Sequence, residues 1–202
     1  MKNLLDYQAV IADLDGTLYY QKPVRRAMGK EMLLHFWRMA DFFTVFRYRR
    51  LYEKGYQEKQ RLDRLSPRAP KVIREWMIER PLKHIAKNRD AELIALLSSL
   101  QKKNVPVIVY SDYPFAEKLC ALGFAPSQAY CSDDLGCLKP DASGLMRILR
   151  SQGIAPEKCL VIGDRREKDG ALASNLESGF LLLSREKHER LEMYERLEQI
   201  GG

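Results

Sequence analysis

From Asp90 onward, short apolar strand patterns alternate with helical ones, and no other feature constrains the fold so tightly. Residues 105–110, 129–131, 159–162 and 180–183 are apolar runs of the length of a buried strand. Residues 91–103, 114–122, 141–152 and 168–177 read as helices, and a last helix starts near Ser184 as its cap. Near-continuous apolar strands separated by helices predict a parallel sheet covered on both faces. Residues 7–13 add one more strand at the front of the chain. In such sheets ligands bind outside the carboxyl ends of the strands. The residues that follow each strand are therefore the candidates for chemistry.

The first strand runs through Ala9-Val10-Ile11-Ala12 into Asp13-Leu14-Asp15-Gly16-Thr17. Side chains at i and i+2 of a strand point the same way, so Asp13 and Asp15 are expected to share one small space. Carboxylates that close repel unless a cation or a proton separates them. The geometry suits a magnesium ion and an acid/base pair, and Gly16 allows a sharp turn beside a ligand. An ordinary Asp-Gly turn is the plainer alternative. A calcium-binding loop is disfavoured, because the acid spacing and distal Glu of that motif are missing.

Other strand ends carry similar residues. Residues 105–110 lead into Ser111-Asp112-Tyr113-Pro114, and 159–162 lead into Gly163-Asp164-Arg165-Arg166-Glu167-Lys168-Asp169-Gly170. Leu138-Lys139-Pro140-Asp141 precedes a helix. One sheet edge thus collects Asp13, Asp15, Ser111, Asp164 and Asp169, with Lys139 arriving from a loop. Each has a plainer reading alone: Ser111 as a helix N-cap, Lys139 as a surface lysine, Asp164 as a turn residue. Their order, all at strand ends, argues for a site.

Between the first strand and Asp90 the pattern differs. Residues 23–60 read as helix, Ser66-Pro67 as a break with Ser66 as N-cap, and 68–79 as a helix ended or kinked by Pro81. Residues 20–90 hold 19 Lys+Arg against 8 Asp+Glu, a net +11, while the whole chain carries +7. The same block gathers Phe36, Trp37, Phe42, Phe43, Phe46, Tyr48, Tyr52 and Tyr56. A helical module facing an anionic substrate or partner explains this, as does a solvated basic face.

At 202 residues and 46% hydrophobic content, the chain can bury a core. No apolar stretch is long enough to span a bilayer, and the start lacks a signal-peptide pattern. The four cysteines form no CxxC pair, which disfavours zinc and reads as reduced thiols in a cytoplasmic setting.

Four motifs together resemble those of the haloacid dehalogenase superfamily, within it the phosphatases carrying a helical cap between the first two motifs. They are Asp13-Leu14-Asp15-Gly16-Thr17, Ser111 after an apolar strand, Lys139 in Leu-Lys-Pro-Asp, and Gly163-Asp164 with Asp169. The resemblance covers the whole chain. It implies a three-layer α/β fold with a Rossmann-like parallel sheet, formed by residues 1–19 and 89–202, and an all-helical cap over 20–88. It also implies a magnesium ion and an aspartyl-phosphate intermediate. Asp13 would be the nucleophile, and Asp15, its pKa raised by a like charge, the general acid/base. Asp13, the Asp15 backbone carbonyl and Asp164 would hold magnesium, with Asp169 bound through water or orienting. Ser111 and Lys139 would hold phosphoryl oxygens, aided by the amides of Leu14 and Asp112. Asp112 stands where an amide residue is frequent in such enzymes. The Arg165-Arg166 pair either touches substrate or faces solvent.

The leading function is thus a magnesium-dependent phosphatase acting on a small phosphorylated metabolite. A dehalogenase is disfavoured, because carbon–halogen hydrolysis has no use for the acid Asp15 supplies. A phosphomutase is the alternative enzyme. The non-enzyme alternative is a module whose basic cap binds nucleic acid or a membrane surface.

Overall fold

A computed structural model describes residues 4–52, 55, 58 and 68–200. Strand β1 is Ala9–Ala12, followed by helices α1, Gln21–Leu34, and α2, Met39–Tyr52. Helices α3, Ala69–Arg74, α4, Leu82–Lys87, and α5, Ala91–Lys102, lead to β2, Val107–Ser111. Then come α6, Ala116–Leu122, β3, Gln128–Cys131, α7, Ser132–Leu135, and α8, Ser143–Ser151. The chain continues with β4, Cys159–Gly163, α9, Ala171–Asn175, β5, Gly179–Leu182, and α10, Lys187–Ile200.

All five strands pair in parallel, in the order β3-β2-β1-β4-β5. The chain winds outward on one side of β1, then returns to build the other, so the strand order switches at β1. Alternation along β1 decides which layer each residue feeds. Val10 and Ala12 join a core with Leu93 and Leu97 of α5 and Leu119 of α6. Ala9 and Ile11 join a second core with Leu145 and Leu149 of α8 and Leu172 of α9. Each fully buried leucine contributes about 1.5–3 kcal/mol relative to exposure. Helix α5 starts where it does because Asp90 caps it, its carboxylate accepting from the Leu93 amide at 3.1 Å.

The segment between β1 and β2 differs from the expected long helix. Helix α1 stops at His35, whose backbone (φ −116°, ψ 41°) leaves the helical region, and a 3₁₀ turn, Phe36–Arg38, reverses the chain into α2. The reversal brings Phe42 of α2 edge-on to Trp76, with ring centroids 4.8 Å apart. Neither glycine nor proline marks the break, so tertiary packing overrides the local pattern. Part of 53–60, and the Ser66-Pro67 break, lie outside the described residues. Beyond α3 the helix widens into π-type turns, Glu75–Glu79, and Pro81 then heads α4. Similar wide turns, Arg166–Gly170, open the stretch expected as a helix from Lys168. The short helix α7 was not legible in the pattern.

The two chain crossings between sheet and helical segment run side by side. Tyr19 and Arg89 form an antiparallel bridge, the Tyr20 amide donates to Asn88 O at 2.9 Å, and the Asp90 amide donates to Leu18 O at 3.0 Å. Arg190 of α10, fully buried, reaches beneath this pair. Its guanidinium donates to Thr17 O at 2.8 Å, to Asp90 Oδ2 at 2.9 Å, and to Gly16 O. Tyr194 adds a bond to the same Asp90 oxygen at 2.8 Å.

Arg190→Met leaves Asp90 as an unpaired buried charge. Urea denaturation should show a loss of about 3–5 kcal/mol, against about 1 kcal/mol for Tyr194→Phe.

Candidate active site

The Asp13 amide donates to Ile162 O at 2.9 Å, so β4 fixes the residue just beyond β1. Asp13 is buried, its Oδ2 accepting from Thr17 Oγ1 at 3.1 Å and its Oδ1 from Lys139 Nζ. The same ammonium donates to Asp169 Oδ1 at 2.8 Å, while Asp169 Oδ2 accepts from the Arg165 amide at 3.1 Å. Asp164 is the third buried carboxylate. One oxygen from each of Asp13, Asp164 and Asp169 lies within 4.8 Å of the others. Two glycines make room for this packing. A Cβ on Gly163 would sit 2.3 Å from the Asp169 carboxylate, and one on Gly16 (φ +100°) would sit 2.7 Å from Asp164 Oδ2.

One ammonium answers only part of the charge of three carboxylates. Burial, with Asp169 and Asp15 nearby, pushes the Asp13 carboxyl up to about 7 despite Lys139. Burial, then Asp169, also raises Asp164, against nearby arginines. Arg185, itself exposed, approaches Asp164 Oδ2 at 3.4 Å, and buried Asp164 Oδ1 has no hydrogen-bond partner. Hard oxygen donors in excess of their counter-charge, one of them unpartnered, fit a magnesium ion.

Asp15 departs from the expected pattern. A raised pKa was foreseen from its like-charged neighbour. Burial does act upward, but Lys118 Nζ bonds both carboxylate oxygens, at 2.6 and 2.8 Å, and Tyr19 OH donates at 2.6 Å. Together these hold Asp15 below the usual carboxylate range. Sequence reasoning missed Lys118. Its signal was a lysine on the apolar face of α6, which shares that face with Leu119 and Leu122.

The remaining candidates gather as expected at the sheet edge, with different partners. Ser111 Oγ accepts from the Tyr113 amide at 3.1 Å. The Asp112 carboxylate accepts from the Lys139 amide at 3.1 Å and from Lys168 Nζ at 3.0 Å, so it braces the lysine loop. The arginine tandem splits: Arg165 lines the central cavity with its buried Nε unpartnered, and Arg166 is exposed.

That cavity, about 350 Å³, lies between the sheet edge and the helical segment. Its floor is charged, with Asp13, Asp15, Lys118, Arg165 and Lys168. Its roof is apolar, formed by Val24, Met28, Phe42, Val45, Trp76 and Met77. Of the basic residues of α1 and α2, Arg25 and Arg49 line it. Lys22 instead pairs with Glu186, and Arg26 and Arg47 are exposed.

A parallel sheet whose strand order reverses at β1, with buried acids beyond β1 and β4 and a lysine between two of them, defines a ligand-binding edge of a three-layer α/β protein. The profile of the haloacid dehalogenase-like hydrolases matches residues 7–175, and the chain belongs to that family. No curated protein sequence matches it. Among solved structures, it resembles the HAD-hydrolase YfnB of Bacillus subtilis bound to magnesium, at 14% identity and a TM-score of 0.62, over 94% of this chain and 99% of that one. CbbY of Rhodobacter sphaeroides, in complex with xylulose-1,5-bisphosphate, is 16% identical with a TM-score of 0.57, over 90% and 89%. The 2-haloacid dehalogenase of Pseudomonas syringae is 20% identical with a TM-score of 0.55, over 90% and 86%. At these identities the likeness is one of fold.

The raised Asp13 pKa has a consequence for stability. The folded protein binds a proton at Asp13 more tightly than the unfolded chain, whose value is 3.8. In metal-free protein this favours folding fully below pH 3.8, and the gain is lost as pH rises through about 7. Asp13→Asn removes the buried charge. Its melting temperature without metal should exceed the wild type's at pH 8, with the difference shrinking towards pH 5.

Proposed function

We propose that this hydrolase is a magnesium-dependent phosphatase that cleaves a phosphomonoester through an aspartyl-phosphate on Asp13. The observation that carries the reading is the buried triad Asp13, Asp164 and Asp169, of which Lys139 pairs with Asp13 and Asp169 alone, beside a cavity lined by Asp13 and Asp15. In this reading residues 1–19 and 89–202 form the catalytic core and 20–88 the cap, joined to it at the paired crossings. The similarity to a magnesium-bound relative and to one holding a bisphosphate agrees with it. The free cysteines agree with a cytoplasmic enzyme.

Asp13, Asp164 and the Asp15 backbone carbonyl would hold the ion, with Asp169 positioned beside them. Once bound, it supplies the positive charge that keeps Asp13 ionised and lets the carboxylate meet a phosphate. Ser111, Lys139 and the amides of Leu14 and Asp112 hold the phosphoryl oxygens. An Asp13 oxygen attacks phosphorus, and an Asp13–phosphorus bond forms as the bond to the leaving oxygen breaks. That oxygen takes its proton from Asp15. The resting Asp15 is ionised against Lys118, but an arriving phosphate adds negative charge beside it and favours its protonated form. In the second half, Asp15 accepts a proton from water, whose oxygen attacks phosphorus. The bond to Asp13 breaks, releasing inorganic phosphate and the free carboxylate. The presence of Asp15 favours this over carbon–halogen hydrolysis, which needs no acid for its leaving group.

Asp13→Asn should abolish phosphate release from an aryl phosphate and the phosphoenzyme trapped with it. Asp15→Asn should slow turnover by about 10²–10⁴-fold while magnesium affinity stays near the wild type's. Full activity in Asp13→Asn rules out the mechanism.

Chelation should stop hydrolysis of the aryl phosphate and added magnesium restore it. Asp164→Ala should raise the magnesium concentration required or abolish activity. Turnover that persists in chelator removes the ion site from the reading.

A further inference from the structure

Eight of the ten large apolar side chains that stand exposed among the described residues fall between Met32 and Phe46. Leu33, Leu34, Phe36, Trp37, Phe43 and Phe46 are each 66–77% exposed. They occupy the corner where α1 turns into α2. Phe36 and Trp37 stack edge-on at 5.5 Å, and Met39, Phe43 and Phe46 follow helical spacing along the outer face of α2. The inner face of the same helix is also apolar, with Phe42 and Tyr52 buried. A helix apolar on both sides with one side in water marks an interaction surface.

Charge surrounds this corner with a single sign. Residues 21–52 hold eight Lys+Arg and two Asp+Glu. Both acids are engaged, Glu31 by Arg80, Lys83 and His84, and Asp41 by Arg38. Arg26, Lys30, Arg47 and Arg50 are exposed and have no ion-pair partner among the described residues. The patch is also continuous with the cavity, because Met32 and Phe46 belong to both. From there an apolar roof leads down to Asp13.

We propose that this corner docks on an anionic bilayer and that the substrate is an amphiphilic phosphomonoester, a phosphate on an apolar chain, drawn from that surface. The choice of reaction rests on the phosphatase reading; the docking does not. Of the wall above the floor, Gln21, Arg25 and Arg49 offer hydrogen bonds, but Val24, Met28, Phe42, Val45, Trp76 and Met77 make most of it apolar, and a sugar's hydroxyls set against those side chains carry a cost that an alkyl chain avoids. Exposed Leu33, Leu34 and Met39 offer no ring for a base to stack on and suit hydrocarbon, while Phe36, Trp37, Phe43 and Phe46 could stack on bases, so nucleic acid is the rival occupant that the test distinguishes. A second copy pairing through a two-fold axis would set Arg47 and Arg50 against their own kind. No helix among the described residues is long and apolar enough to cross a membrane, so the corner lies on the bilayer without spanning it.

Trp37 provides the readout, because the only other tryptophan, Trp76, is buried. Vesicles of mixed phosphatidylcholine and phosphatidylglycerol should blue-shift Trp37 emission and shield it from an aqueous quencher. Pure phosphatidylcholine should do so weakly, and high salt should reverse part of the effect. Joint Phe36→Ser and Phe43→Ser substitution, at positions outside the cavity, should weaken vesicle binding by at least roughly tenfold. Aryl phosphate hydrolysis should stay unchanged in that variant. For the wild type, kcat/KM for dodecyl phosphate should exceed that for ethyl phosphate by roughly a hundredfold. Emission unmoved by vesicles but quenched by a single-stranded oligonucleotide overturns the proposal, as does a lipid-free dimer that shields Trp37. Aryl phosphate hydrolysis with no vesicle response overturns the docking and leaves the phosphatase standing. Vesicle binding with no hydrolysis of any phosphate ester supports the docking and overturns the phosphatase reading instead.

Discussion

The mutual repulsion of Asp13, Asp164 and Asp169 is the constraint around which the sheet edge is built. Three buried carboxylates so close raise each other's energy, and Lys139 is the cation placed between two of them. Its position is itself supported. Asp112 holds the Lys139 amide, and Lys168 balances the Asp112 charge. The Asp112 carbonyl is in turn held by Ser132 Oγ at 2.8 Å and by Tyr52 of α2. A line of hydrogen bonds thus runs from the helical segment through the β2 and β3 ends to the Asp13 carboxylate. Removing charge at any point of that line would leave a partner buried and unpaired.

The helical segment meets the sheet in two different ways. At the crossings, backbone hydrogen bonds and Arg190 fix the chain tightly. Over the cavity the contact is a small satellite core, in which Tyr48, Tyr52 and Ile73 pack on Leu138, and Tyr52 stacks on Tyr113 at 4.6 Å. Rigid crossings with a looser roof suit a site that must admit a ligand and then surround it.

The layers of the fold were legible because buried parallel strands are short, apolar and spaced by helices, and all five were found within one or two residues of their ends. The acids at strand ends were legible because topology brings such ends to one edge. What escaped was set by contacts distant in sequence. His35 breaks a helix that its neighbours would continue, so that Phe42 can reach Trp76. Lys118 is 103 residues from Asp15, yet its charge reverses the pKa direction expected from Asp13 alone. Arg190 reads locally as one of several charges on a polar helix, and only the folded chain shows it buried under the loop at Gly16.

That last contact also fixes an order of events during synthesis. The carbonyls at residues 16 and 17 are held by a side chain made 173 residues later than Thr17. A growing chain can pair β1 with β2 and pack α5 well before α10 leaves the ribosome. Until then the loop between Asp15 and Leu18 lacks the guanidinium that holds its carbonyls. The turn that follows Asp15 is therefore tied down only when the sheet is already built. A chain released with its sheet formed but α10 undocked thus carries the Gly16–Thr17 turn without its last tether, and closing that turn is the final step of building the edge.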